Sequence, residues 1–227
     1  MISIVIPTFN ESKTIGFTLT NLFKIISPEY EVIVVDGSSI DDTRDIVKSF
    51  DSVKLIQSKK CRAIQMNIGA LNATKEYILF HHADIVLNST NFEILRKEIL
   101  SRRIDWGWFE IKINNPRSIY RIIDLLSNLR ALLTGTPLGD HAIFVRRDIF
   151  DKVGAFPEIP LMEDIAFVNR IKSISNGVRI KNPVLISARR FEYSGILNTF
   201  FKMWTLRILY NLGVSTDKLA QYYSDSR

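Results

Sequence analysis

The sequence predicts an α/β fold, with a mixed, mainly parallel sheet flanked by helices and further helices at the C-terminal end. Apolar strand-like runs alternate with helix-spaced segments through the first half of the chain, the rhythm of a parallel sheet with helices on both faces. Those runs are apolar at nearly every position rather than every second one, as strands buried on both faces are. The fourth of them, Tyr77-Ile78-Leu79-Phe80, turns abruptly polar at His81-His82-Ala83-Asp84. In an open α/β sheet, ligands bind outside the carboxyl ends of the strands. His82 and Asp84 therefore fall where a metal or a phosphate-bearing ligand would be held.

The elements follow in order. Residues 2–7 read as the first strand, stopped by Pro7, and residues 11–26 repeat Ile15, Leu19, Leu22, Phe23 and Ile26 at helical spacing. Residues 31–36 form the second strand, and Asp41 or Asp42 caps a helix reaching Phe50. Residues 53–57 are a third strand, 62–72 a helix and 77–80 the fourth strand. In the second half, residues 91–100 are helical and 105–113 alternate like a strand. Residues 118–133 make a helix with a basic face of Arg117, Arg121 and Arg130. A short strand at 142–145, helices at 147–153 and 163–175, and strands at 178–180 and 184–188 come next, before an apolar helical tail from Gly195. With no linker, repeat or low-complexity segment, one domain is expected over residues 1–227, with a nucleotide-binding half (1–88), an acceptor and catalytic half (89–194) and the tail (195–227).

Composition narrows the classes. A chain of 227 residues with 46% hydrophobic content can bury a sizeable core and is not a disordered chain. The single cysteine, Cys61, excludes an internal disulfide and suits a reducing compartment. The opening apolar stretch is too short for a secretory signal, so a cytoplasmic location is expected. No uncharged apolar run approaches the ~20 residues of a membrane span; the nearest, 196–214, is broken by Lys202 and Arg207. The net charge of +6 suits an anionic partner, but the basic residues are scattered and no nucleic-acid-binding signature accompanies them, so nucleic acid is not expected.

Two turns add candidate ligand contacts. Pro7-Thr8-Phe9-Asn10-Glu11 ends the first strand, and Thr8 or Asn10 can cap the following helix, whose free N–H groups would suit an anion. Asp36-Gly37-Ser38-Ser39 ends the second strand with a carboxylate and small residues that let a ligand approach the backbone. Read alone, each is equally an ordinary strand-to-helix turn.

Taken together, Ile-Pro-Thr-Phe-Asn-Glu, Val-Val-Asp-Gly-Ser-Ser-Ile-Asp-Asp-Thr, Arg62-Ala-Ile-Gln-Met-Asn-Ile-Gly-Ala and the His-x-Asp after strand four resemble a family-2 glycosyltransferase of the GT-A fold. The likeness continues through Gly139-Asp140-His141-Ala142-Ile143-Phe144, Pro160-Leu161-Met162-Glu163-Asp164 and Ser187-Ala188-Arg189-Arg190-Phe191-Glu192, and so covers nearly the whole chain. It is nearest to the bacterial transferase-2 group associated with radical-SAM/selenodomain proteins. The resemblance implies transfer of a sugar from a nucleotide-diphosphate donor to an unknown acceptor, in cell-envelope or polysaccharide synthesis, with a divalent metal, Mn²⁺ or Mg²⁺, at the diphosphate. It assigns Asp84 as metal ligand, with His82 and His141 as further candidates, and Asp164 as the base of an inverting reaction supported by Glu163. It implies donor contacts from Pro7, Thr8, Asn10, Glu11, Asp36, Ser39, Arg62, Asn67, His82 and Arg190. The sequence departs from the family where a base-reading aspartate usually follows Asp36, because Gly37 stands there.

Two rival readings have less support. A nucleotidyltransferase would carry a glycine-rich loop after strand one, and Pro7–Glu11 has no glycine. A non-catalytic nucleotide-sugar-binding protein fits the altered His-x-Asp. The apolar tail is expected to pack on the core or in a homodimer; the sharper alternative lays it on the inner face of a membrane with Lys202 and Arg207 at the headgroups.

Overall fold

The computed structural model describes residues 1–223; the last four positions of the tail, 224–227, lie outside the described residues. Eight strands form one sheet: β1 (Ile2–Thr8), β2 (Glu31–Asp36), β3 (Val53–Gln57), β4 (Tyr77–Phe80), β5 (Ile85–Val86), β6 (Trp106–Ile113), β7 (Phe144–Arg146) and β8 (Val178–Ile186). The helices are α1 (Ile15–Ile25), α2 (Thr43–Lys48), α3 (Arg62–Asn72), α4 (Ser89–Arg102), α5 (Ser118–Thr134), α6 (Arg147–Val153), α7 (Glu163–Lys172), α8 (Arg189–Ser194), α9 (Ile196–Asn211) and α10 (Thr216–Tyr222).

The strand order is β3-β2-β1-β4-β7-β6-β8-β5. β1 pairs in parallel with β2 and β4, and β2 with β3, while β7 runs antiparallel between β4 and β6. Chain order thus reverses at β1, which lies between β2 and β4, and this is the switch point at which α/β sheets open a crevice. Successive residues of the central strands feed opposite faces. Ile4, Ile6, Val34 and Leu79 join α1, α4 and α5 on one side; Val5, Ile33, Val35 and Phe80 join α3, α6 and α7 on the other. A third apolar cluster packs Leu206 and Leu219 of the C-terminal helices on Leu161, Met162 and Ile165.

Several boundaries differ from the sequence reading. Pro7 lies inside β1, paired with Val35. Like Val5, two residues earlier, it turns its backbone toward β4, where the ladder ends at Val5↔Phe80, so its missing N–H breaks no sheet bond. Helix α1 starts at Ile15, four residues later than read, because the Glu11 carbonyl closes a turn on the N–H groups of Thr14 and Ile15. Asp42 holds the N-cap position of α2, but it is the Asp41 carboxylate that accepts from Thr43 N–H, and the helix ends at Lys48 rather than Phe50. The two strands read over 178–188 are one strand, β8, pairing with β6 through an irregularity between Phe109 and Ile111. The tail divides at Gly213 (φ 85°) into α9 and α10.

The basic face read for α5 is confined to its N-terminal end, at Arg117 and Arg121. Arg130 turns inward, 8% exposed, and its Nη1 donates to the Thr136 carbonyl at 2.6 Å. The solvent side carries Ile122, Leu125, Leu126, Leu129, Leu132 and Leu133.

Gly107 shows how tightly the second half of the sheet is built. A Cβ there would overlap the Val178 carbonyl oxygen and the ring of Phe144, two atoms groups the sheet itself fixes in place. Gly107→Ala is expected to destabilise the protein by about 1–3 kcal/mol through overpacking, read as a lower denaturation midpoint at unchanged m-value.

Candidate active site

A cavity of about 610 Å³ opens at the carboxyl ends of β1 and β4. Pro7, Thr8 and Glu11 line it from β1 and the turn after it, Arg62 from the start of α3, and His82 and Asp84 from the turn after β4. His141, Glu163, Asp164 and Arg190 close the other side. Ten of the candidate residues are thus brought to one space by six separate segments.

Asn10, Asp36, Ser39 and Asn67 are not among the lining residues; each is held by the protein itself. Asp36 is fully buried and accepts from the Ser39 N–H at 2.9 Å and the Ser39 hydroxyl at 2.5 Å. Asn10 accepts from Ile40 N–H, and its own N–H donates to Ser39 Oγ. Asn67 exchanges two 2.9 Å bonds with the backbone of Phe156. This ties down the segment before Glu163, which the stack of Phe156 on Phe167 (4.2 Å between ring centroids) also anchors. The N–H groups expected to receive an anion after β1 are spent as well. Those of Asn10, Glu11 and Ser12 donate to Ser39 Oγ, Thr43 Oγ1 and Asp41 Oδ2. Burial works against the Asp41 charge, but hydrogen bonds from Thr43 and Ser12 outweigh it and hold the carboxyl down to about 2.

Gln65, given no role in the sequence reading, closes the ends of β1 and β2. Its Nε2 donates to the carbonyls of Thr8 (2.6 Å) and Val35 (2.8 Å). A Cβ at Gly37 would lie 3.1 Å from that same amide. The glycine that departs from the family pattern therefore makes room for Gln65.

Charge pairing organises the floor. Arg62, the first residue of α3, lies 3.3 Å from Glu163, which is 2% exposed at the start of α7. Burial opposes the Arg62 charge, but Glu163, Tyr223, Asp164 and Asp84 outweigh it and hold the guanidinium above the usual arginine range. Asp164 follows Glu163. Its Oδ2 accepts from Gly139 N–H at 2.8 Å and its Oδ1 from Ile165 N–H at 2.7 Å. Met162, just before the pair, has φ 69°, a left-handed conformation that costs a non-glycine residue energy and aims the first turn of α7 at the cavity.

The histidines divide by environment. His81 points into the core, and burial pushes it down to about 4, so it is neutral near pH 7. His141 is fully buried, and burial also lowers its pKa. Its Nδ1 lies 2.9 Å from the Phe109 carbonyl, which can only accept, so Nδ1 carries the proton and Nε2 the lone pair. His82 packs against Gly139, where a Cβ would come within 2.5 Å of its Nε2. Among the described residues, no three His, Cys, Asp or Glu side chains converge as a ready-made metal shell.

Comparison with known proteins identifies the scaffold. The family described as "Glycosyl transferase family 2" matches residues 3–154. The chain belongs to that family. A Methanococcus voltae dolichyl N-acetyl-α-D-glucosaminyl phosphate 3-β-D-2,3-diacetamido-2,3-dideoxy-β-D-glucuronosyltransferase is 35% identical over 91 residues, 36% of this chain and 28% of that one. An Escherichia coli UDP-Glc:α-D-GlcNAc-diphosphoundecaprenol β-1,3-glucosyltransferase is 26% identical over 52% of this chain and 49% of its own length. The chain thus spans half or less of either relative. Among solved structures, S. aureus TarS 1–349 in complex with UDP-GlcNAc superposes with a TM-score of 0.69 at 24% identity, over 82% of this chain and 58% of TarS 1–349. A Pyrobaculum calidifontis mannosyltransferase in complex with GDP-Man and Mn²⁺ gives 0.64 at 19%, over 90% of this chain and 64% of that one. These likenesses bear out the GT-A fold read from the sequence.

The Arg62–Glu163 pair is the nearest charge contact in the cavity floor. Glu163→Gln removes the nearest counter-charge of the partly exposed arginine, leaving Asp164 and Asp84, and is expected to cost about 1–3 kcal/mol. Chemical denaturation of the variant beside the native chain measures it.

Proposed function

We propose that the protein transfers a glycosyl group from a nucleoside-diphosphate sugar to an acceptor hydroxyl, with Asp164 as base. The observation that carries this reading is that Asp84 and Asp164 line one cavity and both act on the Arg62 charge, which is paired with Glu163. The volume suits a nucleotide sugar better than a macromolecular segment. The names of the similar proteins, one specifying UDP-Glc and others bound to UDP-GlcNAc or GDP-Man, support a nucleotide-linked donor.

Asp164 fits the base because both carboxylate oxygens are already oriented by backbone N–H groups. A base fixed in this way loses little freedom when an acceptor hydroxyl arrives. Displacement from the face opposite the leaving diphosphate would invert the anomeric centre. Glu163 holds Arg62 in place and so positions rather than reacts. Arg62 and Arg190 supply guanidinium groups suited to phosphate oxygens.

A divalent metal fits the residues present. Asp84 offers a carboxylate, and the Nε2 lone pair of His141 is aimed away from its Phe109 bond. Mn²⁺ accepts such a mixed oxygen and nitrogen set, and substrate phosphates commonly complete the shell of such ions. Bound there, the metal would supply Lewis-acid neutralisation of the diphosphate. His82, crowded against Gly139, is assigned to the donor rather than to the metal. We read residues 1–88 as the donor half, 89–194 as the acceptor half and the remainder as a helical cover, all in one domain. We also keep the transferase-2 group associated with radical-SAM/selenodomain proteins as the nearest subgroup. A reducing cytoplasmic setting suits the free thiol of Cys61.

Asp164→Asn is expected to abolish transfer while donor affinity stays within about twofold by calorimetry, the mark of a group needed only in the transition state; weakened donor binding would overturn its role as base. Asp84→Ala is expected to erase the Mn²⁺-dependent part of nucleotide-sugar affinity, and titrations with and without Mn²⁺ that give the same result as the native chain would count against it.

A further inference from the structure

Helix α10 returns to the cavity, and the backbone itself makes the reversal that brings it there. Just past α9, Gly213 has a φ of 85°, which suits a residue without a Cβ. The Gly213 N–H donates to the Tyr210 carbonyl at 2.9 Å, and the Val214 N–H to the Leu209 carbonyl at 3.0 Å. These are the paired bonds of a Schellman turn. Val214 and Leu209 join one apolar cluster, the contact that accompanies such a turn. Leu219 then anchors α10. It is fully buried in the cluster of Leu161, Met162 and Ile165, which brackets Glu163 and Asp164.

Anchored in this way, α10 turns Asp217, Ala220 and Tyr223 to the cavity. The half-buried Tyr223 is held at its backbone, where its N–H donates to the Leu219 carbonyl at 3.0 Å. Its ring centroid lies 5.4 Å from the guanidinium carbon of Arg190. Tyr223 also acts on the Arg62 charge, after Glu163 and ahead of Asp164 and Asp84. One side chain from the last described helix thus reaches two arginines, one from α3 and one from α8.

The two arginines differ in what else holds them. Arg62 has Glu163 at 3.3 Å. Arg190 stands on a six-residue helix with no buried residue, and among the described residues its side chain meets the Tyr223 ring and no carboxylate. The difference matters for an arginine that must receive an anion. A carboxylate partner would take the guanidinium N–H groups that phosphate oxygens need. An aromatic face attracts the same cation through its ring quadrupole and leaves those N–H groups available.

We propose that Tyr223 is a positioning residue of the donor site: its ring holds the Arg190 guanidinium in place for the diphosphate of the nucleotide sugar. Helix α10 is then a working part of the site as well as its cover. The inference deepens the donor reading above and rests on it.

The test is a double-mutant cycle on the full chain, with UDP and GDP as calorimetric probes in the presence of Mn²⁺. Tyr223→Ala is expected to weaken binding of the preferred nucleotide roughly tenfold, whereas Tyr223→Phe, which keeps the ring, should stay within about twofold of the native chain. Arg190→Gln is expected to weaken it by a similar factor. On that background Tyr223→Ala should add less than about twofold, because the ring would have no guanidinium to hold. A full second loss there overturns the proposal, since Tyr223 would then act without Arg190. Failure of Tyr223→Phe to keep the affinity overturns it as well. So does unchanged affinity in Tyr223→Ala, which leaves α10 only a cover. So does tighter binding, which makes the ring a plug that the diphosphate must expel. A native chain that binds neither nucleotide strikes the donor reading and this proposal with it, whereas nucleotide binding with an additive cycle strikes the role of Tyr223 alone.

Discussion

The site depends on the parallel ladder that holds β1 between β2 and β4. Buried on both faces, β1 is fixed by hydrogen bonds on either edge, and its two ladders end at different heights: Thr8↔Asp36 on one side, Val5↔Phe80 on the other. The step between those heights is the crevice. Helix α3 packs on this ladder through Gly69, where a Cβ would collide with Val5, and so brings Arg62 to the rim. Had either ladder slipped by one residue, the apolar side chains would exchange faces.

Within the crevice, charge balance sets the positions. Glu163 and Asp164 are adjacent in the first turn of α7, yet they serve different neighbours. Glu163 meets Arg62, while Asp164 is fixed by Gly139 N–H and acts on the charges of Arg130 and Arg207. Burying so many charges is costly unless each has an opposite partner nearby. Strain gathers at the same edge. Asn10, Ser38, Ala142 and Met162 all have positive φ in the loops around it, whereas Arg103 is the other such non-glycine residue among those described. Such conformations persist only where surrounding packing enforces them, as the aromatic cluster of Phe80, Phe150, Phe156 and Phe167 does here for the segment leading to Met162.

The C-terminal helices join this arrangement instead of trailing from it. Leu206 and Leu219 pack on Leu161, Met162 and Ile165, so the cover of the cavity and the loop that presents Asp164 share one apolar cluster. None of the described helices is long and apolar enough to cross a membrane. The exposed leucine and isoleucine residues of α5 lie along the surface, on a helix whose inner side is already occupied.

Residue pattern alone marked the central strands and the ligand edge, though not β5 or the continuity of β8. β2, β3, β4, α3 and α6 begin and end where the residue pattern places them; for β2 and β4 the reason is that a strand buried on both faces leaves an unbroken apolar run and a polar residue marks its end. The motifs likewise placed Asp84 and Asp164 in one family and one site. What the sequence could not decide was where each polar group spends its hydrogen bonds. Asp36, Asn10, Ser39 and Asn67 have the chemistry to hold a ligand, but nearby backbone and hydroxyl groups, most of them distant in sequence, take them first. The turn of Arg130 from an expected outer face to the cavity wall, and of six leucine and isoleucine residues to solvent, was equally hidden. Helical spacing says which residues share a face, whereas only the packing of α5 on β6 says which face is inside.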